Sequence, residues 1–213
     1  MLPAGEPKWR RRRAERPGEI VAAALEVFAE KGFAAAKLDE IAKRAGVSKG
    51  ALYLYYETKE DLFRAVVQET VGPNVAQVQQ AVAAADLPFE QLVRMMLTRI
   101  AAMLATERRV GAVAKVVIGE SRNFPELARI WKETVLLPGV TLLTGLIARA
   151  QSRGEVREGD PRLYAFGFMG PVLLSLIWRE TFVPVGAEPI DTEALVAQHL
   201  DALLEGMLVR ERA

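Results

Sequence analysis

At 213 residues the chain has room for one large or two small domains with a proper core, and 51% apolar with 26% charged residues excludes a disordered polymer. It has no cysteine, which excludes disulfides, thiolate chemistry and Cys-ligated zinc and fits a reducing, cytoplasmic setting. The net charge of +1 excludes polyanion binding by overall charge, so any nucleic-acid contact must come from a local patch.

The chain opens with such a patch. Over residues 1–16, Lys8, Arg10 to Arg13 and Arg16 outweigh Glu6 and Glu15, with no apolar periodicity. Two readings stand: a flexible solvated tail, or an arm that follows DNA and orders on binding. No apolar stretch follows the basic run, as a signal peptide would require. Residues 17–31 form the first helix, with Ile20, Val21, Ala24, Leu25 and Phe28 on one face and Gly32 as its stop. Phe33, beyond the glycine, can fold back onto that face.

Two short helices follow between Lys37 and Lys59. In the first, Leu38, Ile41, Ala42 and Ala45 repeat at i, i+3, i+4 and i+7, and Gly46 ends it. Ser48 caps the second, and Val47 with Leu52 forms a hydrophobic staple that sets its direction. Leu52 and Tyr56 turn inward, so Lys49 and Tyr53 point outward beside the nearly bare backbone of Gly50 and Ala51. A helix with one cation, one ring and little bulk can approach another surface closely, as the major groove of DNA demands. The competing reading is a helical hairpin inside an ordinary all-helical domain.

Gly32-Phe33, Leu38-Asp39-Glu40-Ile41-Ala42, Ala45 to Gly50, Leu52-Tyr53, Tyr55-Tyr56 and Thr58 to Phe63 together resemble the DNA-binding domain of TetR-family transcriptional regulators, without a gap from Pro17 to Val67. The resemblance implies an all-α protein of about nine helices, with a helix-turn-helix domain at 17–67 and a ligand-binding and dimerisation domain at 68–213. It implies that Lys49 and Tyr53, beside Gly50 and Ala51, approach bases, and that Ser48, Tyr55 and Lys59 hold phosphates. The family usually has a hydroxyl residue where this chain has Ala36 and Lys37, so charge on Lys37 replaces that phosphate contact.

Thr58, with Asp61 at N3, opens a fourth helix that the pattern carries past Gly72-Pro73, with a kink there, to Asp86. Further helices span 89–106 and 110–118, a loop covers 119–124, and a long helix runs from 125 to 153 with a break or bend at Pro138-Gly139. Asp160-Pro161 starts a helix that is apolar almost all round. Its run from Leu163 to Trp178 is too short, and interrupted by Pro171, for a bilayer span, and reads as a buried helix. Asp191 caps the last helix, whose apolar face includes His199, Leu200 and Leu204. The last two helices are too apolar for a monomer's surface, unless they are simply its core, and the resemblance implies a homodimer through them.

Catalytic chemistry is missing: there is no nucleophile motif, no phosphate-binding loop, and His199 has no second metal ligand at i+3 or i+4. No metal, cofactor, membrane or enzyme activity is expected. Met96, Met103, Trp131, Phe166 and Met169 supply either an irregular core or an apolar pocket of several hundred Å³, oriented by Arg99, Arg122 or Tyr164. The function expected is a dimeric repressor on a palindromic double-stranded operator, released by a small, mostly apolar effector. The alternative is a DNA-binding dimer with no switch.

Overall fold

The computed structural model describes residues 8–85 and 87–209, with side chains from Pro17 onward. It is all-α, with no β-strand among the described residues.

Helix α1 (Lys8–Ala35) begins well before Pro17, so the backbone of residues 8–16 is helical where a tail was expected, and residues 1–7 lie outside the described residues. Gly32 interrupts its last turn at φ 77°, ψ 173°, a region only glycine occupies freely. The interruption returns Phe33 onto the helix, where its ring lies 5.4 Å from Phe28, 5.7 Å from Phe63 and 5.1 Å from Phe124. This ring cluster is the centre of a core built from α1, α2 (Leu38–Arg44), α3 (Lys49–Tyr53), α4 (Lys59–Thr70) and α7 (Arg108–Glu120). Arg44 adds a bidentate pair from α2 to Glu30 of α1, at 2.6 and 2.8 Å, and holds the Glu30 carboxyl below its usual range.

The expected long fourth helix is two. α4 ends and α5 (Gly72–Ala84) begins at Val71, whose φ/ψ of −110°, −33° departs from the helical values on either side, with Pro73 in the first turn of α5. Proline suits that place because the first-turn N–H has no intrahelical partner. α6 (Phe89–Thr106) keeps its expected bounds, whereas α7 extends to Glu120, into the stretch expected to be loop.

α8 (Pro125–Trp131) and α9 (Leu137–Ser152) continue each other through a π turn at Lys132–Leu136. The wider turn meets Pro138, which cannot donate, without breaking the rod.

α10 (Pro161–Ile177) starts at an Asp160 cap that accepts from the Arg162 N–H at 2.7 Å. Pro171 leaves the carbonyl of Gly167, four residues earlier, without its helical donor. Nε2 of His199, on α11 (Thr192–Met207), lies 3.0 Å from that oxygen, and as the donor it replaces the missing bond. A second core joins α6, α9, α10 and α11.

α10 is not the buried helix expected: Ala165, Phe168, Ser175 and Leu176 are buried, but Leu163 is 70% and Phe166 53% exposed. Its neighbours cover one side only, because a single chain has no further layer to cover the other. By length and composition alone, Pro125–Ser152 and Pro161–Val185 could cross a membrane, yet each packs into the helical body.

Candidate DNA-reading face and apolar cavity

The reading face is assembled by caps. Gly46 turns the chain at φ 67°, and the Ser48 hydroxyl accepts from the Ala51 N–H at 3.1 Å, so α3 starts where the pattern placed it. Lys37 precedes α2 without a side-chain cap, as its lack of a hydroxyl requires. Leu52 is fully buried; Lys49, Gly50, Tyr53 and Tyr55 are exposed, and Ala51 is half-buried. Gly50 has nothing within 4 Å of where a Cβ would stand, so backbone is open to close approach. Lys37 and Ser48 are both exposed.

Two features modify the expected roles. Lys49 is tethered: its Nζ lies 2.8 Å and 3.0 Å from the two carboxylate oxygens of Asp39, and the hydrogen bond to Asp39, more than its charge alone, raises the lysine's pKa. It must exchange that carboxylate for a base edge to read DNA. Lys59, expected to hold a phosphate, is engaged within the protein. Its ammonium donates to the carbonyls of Phe33 at 2.6 Å, Ala36 at 3.1 Å and Ala34 at 3.2 Å, and sits 4.5 Å from the Phe33 ring centre. All three N–H bonds go to carbonyls in the last turn of α1 and just past it, which have no helical donors because the helix ends at Ala35. Glu120 completes this knot from α7, accepting from the Phe33 and Ala34 N–H groups at 2.5 and 2.7 Å. Glu120 therefore belongs to the joint between the two halves, a role without local signal because its partners lie 86 and 87 residues away. Sequence reasoning also missed the exposure of Leu54, an apolar side chain just after α3 that is 80% exposed. Its signal was available, since Leu52 and Tyr56 already occupy the inward positions.

The other half holds a cavity of about 140 Å³ among α5, α6, α9 and α10, smaller than the several hundred Å³ expected. Met96, Met103, Trp131 and Met169 line it, as proposed from their chemistry. Phe166, Arg99, Arg122 and Tyr164 do not. Phe166 faces outward under Arg162, Arg99 reaches Gln77 at 3.4 Å, Arg122 is exposed, and the Tyr164 hydroxyl points to the Glu158 carbonyl at 3.4 Å. Long polar side chains on helix surfaces reach water more cheaply than they enter an apolar gap. The walls missed by sequence reading are small and aliphatic: Val75 and Val78 of α5, Gly139 and Leu142 of α9, and Val172 of α10. Such residues carry no signature that separates a cavity wall from a filled core. The polar side chains in the lining are Asn74, which donates to the Thr70 carbonyl at 3.2 Å, and Gln79. Val71, at the α4–α5 joint, closes one end. Among the described residues there is no cluster of carboxylates or imidazole able to hold a metal.

Residues 20–66 match the family described as "Bacterial regulatory proteins, tetR family", and residues 90–208 match "AefR-like transcriptional repressor, C-terminal domain". The chain is similar to the fatty acid metabolism regulator protein of Bacillus subtilis, 29% identical over 146 residues that span 68% of this chain and 73% of the relative. A TetR-family regulator structure from Mesorhizobium loti superposes with a TM-score of 0.73 at 25% identity, over 93% of this chain and 99% of that one. The FadR regulator of Bacillus subtilis in complex with stearoyl-CoA superposes at 0.72 and 24% identity, over 89% and 98% of the two chains.

Proposed function

Because the chain belongs to the TetR family of transcriptional regulators, we propose that it is a repressor that binds an inverted-repeat operator as a homodimer and releases it when a small, mostly apolar molecule enters the cavity. In this reading residues 17–67 are the DNA-binding unit and residues 68–213 bind effector and partner. It acts in the cytoplasm.

The observation that carries the reading is the position of the cavity. Its wall includes Val71, Asn74 and Val75 at the start of α5, and α4, on the other side of Val71, belongs to the same core as the reading helix. A body wedged in the cavity presses on that joint, and a small rotation of α4 changes the separation of two readers that must fit successive major grooves about 34 Å apart. That a similar regulator binds stearoyl-CoA supports an apolar effector here. The exposed Leu163, Phe166, Leu173 and Leu174 on α10 support pairing of α10 and α11 with a second copy.

On the DNA, Lys49 and Tyr53 face bases, with Gly50 and Ala51 allowing the approach, and Lys37, Ser48 and Tyr55 hold the backbone. An operator selected from random duplexes tests this. Lys49→Ala should lose discrimination between the selected site and a scrambled one, whereas Lys37→Ala should weaken both alike and flatten the salt dependence by about one unit. The switch is tested by reciprocity: an effector that weakens operator binding must itself bind less tightly to the operator complex, by the same factor, with a coupling of about 1 to 3 kcal/mol. Equal effector affinity with and without operator would leave a DNA-binding dimer with no switch, and a monomer at micromolar concentration by analytical ultracentrifugation would end the dimer reading.

A further inference from the structure

A second hollow, about 420 Å³, lies outside the apolar cavity, between the end of α5, the start of α6 and α9. Val82, Leu92 and Leu146 give it an apolar stretch of wall, but its lining is more polar than apolar, with Arg149 and Arg153 on its rim. The two arginines are four residues apart at the end of α9 and so share one face. Gln79 and Leu142 line both this hollow and the inner cavity. They lie between the two, with Gln79 exposed and Leu142 half-buried.

One of the two cations on that rim is uncompensated. The Arg149 side chain is exposed and makes no hydrogen bond or ion pair among the described residues. Arg153 donates through Nε to Glu155 at 2.5 Å, and the other Glu155 oxygen accepts from the Phe89 N–H at 3.1 Å, which holds this pair against the wall of the hollow. A cation in the last turn of a helix is favoured by the helix dipole whatever binds, so position alone would not make a site. Here the cations edge a partly apolar hollow that adjoins the apolar cavity. The inner cavity is about the size of one that holds a single benzene ring, on the order of 150 Å³. A purely apolar molecule that fits it leaves the outer hollow and the arginines unused.

We propose that the effector is an anionic amphiphile: a hydrocarbon body in the inner cavity, passing between Gln79 and Leu142, with a carboxylate or phosphate headgroup on Arg149 and Arg153. The assignment rests on the reading that the cavity takes the effector. Guanidinium groups suit both headgroups, through paired N–H donors to paired oxygens.

Four probes with one eight-carbon chain, titrated calorimetrically into the full-length protein, test it: octanoate, octyl phosphate, octan-1-ol and octyltrimethylammonium. The two anions should bind about tenfold more tightly than the alcohol, the cation most weakly, and added salt should reduce only the anions' advantage. In the double variant Arg149→Gln, Arg153→Gln, both exposed and safe for folding, the anions should fall to the level of the alcohol. The tighter of the two anions identifies the headgroup as carboxylate or phosphate. If the alcohol binds as well as the anions, or the anions keep their advantage in the double variant, the headgroup site is overturned while the cavity reading stands. If none of the four binds at millimolar concentration, the cavity reading falls and takes the headgroup site with it.

Discussion

Helices α3 and α4 at the reading face start at side-chain caps, whereas α8 and α10 beside the cavity each run into a π turn followed by a proline. α3 begins at Ser48, and α4 at a capping box in which Thr58 and Asp61 satisfy each other's backbone N–H groups at 3.0 and 3.1 Å. By contrast, Pro138 follows a π turn at Lys132–Leu136, Pro171 needs His199 to answer a stranded carbonyl, and Pro184 follows a second π turn at Trp178–Phe182. Caps fix where a helix points, and a reader that must match a groove needs that. A widened turn leaves side chains out of step with those opposite, and Val135, Pro138 and Gly139, at the first such turn, are cavity walls. Empty space thus collects where backbone regularity is lost.

The sharpest way to break the first half is to remove a ring. Phe63 is fully buried and meets Phe28 edge-on at 5.6 Å and Phe33 at 5.7 Å. Phe63→Ala should cost about 3 to 5 kcal/mol, through lost burial and the cavity left in a core with little freedom to collapse. Denaturant unfolding at fixed protein concentration measures it, since the dimer proposed above would make apparent stability depend on concentration. A loss below about 1 kcal/mol would mean this core relaxes as easily as the one around the cavity, and the contrast would be gone.

Next in size is the knot at the end of α1. At Gly32 the backbone occupies a region reserved for glycine, and an added Cβ would stand 2.2 Å from Oε1 of Glu120, displacing the carboxylate that accepts from Phe33 and Ala34. Gly32→Ala should therefore cost about 2 to 3 kcal/mol, by strain and by loss of the acceptor. Lys59→Met keeps the side-chain stem and removes the three donors, for a smaller loss of about 1 to 2 kcal/mol. Its decisive readout is the salt dependence of operator binding, which should keep its slope. A slope flattened by about one unit would return Lys59 to the DNA backbone.

How far the chain could be read from its residues follows the same division. Ser48, Thr58, Asp160 and Asp191 cap the helices their neighbours led one to expect, because a cap and its N–H partner lie within three residues of each other. The aromatic and methionine walls Met96, Met103, Trp131 and Met169 were also legible, from the adaptable chemistry of those side chains. The knot was not: Lys59 reads as a phosphate contact and Glu120 carries no local signal, because what they hold is fixed by tertiary folding. Nor was the start of α1, since Pro17 reads as a first-turn residue and is found inside the helix. Polarity suggests Arg99, Arg122 and Tyr164 as pocket groups, and polarity is also what turns the two arginines to solvent and the Tyr164 hydroxyl to the Glu158 carbonyl.

The smallest expected effect has the opposite sign. Gly139 sits inside α9 and lines the cavity, and a Cβ there would meet only the Met169 methyl, at an ordinary contact distance of 3.8 Å. Glycine in a helix interior gives up more chain entropy than alanine, so Gly139→Ala should stabilise the protein by about 0.5 to 1 kcal/mol. The same substitution that damages the knot at Gly32 thus strengthens the helix beside the cavity, because one position is filled and strained and the other is roomy and relaxed. The added methyl also takes up space in a cavity of about 140 Å³, so the variant should melt higher yet bind octyl phosphate less tightly. Thermal unfolding and calorimetry on one preparation read both. Stability gained with affinity lost would identify this space as the effector's, kept open by a glycine at the expense of a firmer helix, whereas a destabilised variant would mean that α9 and α10 are already in close contact and that the space lies elsewhere.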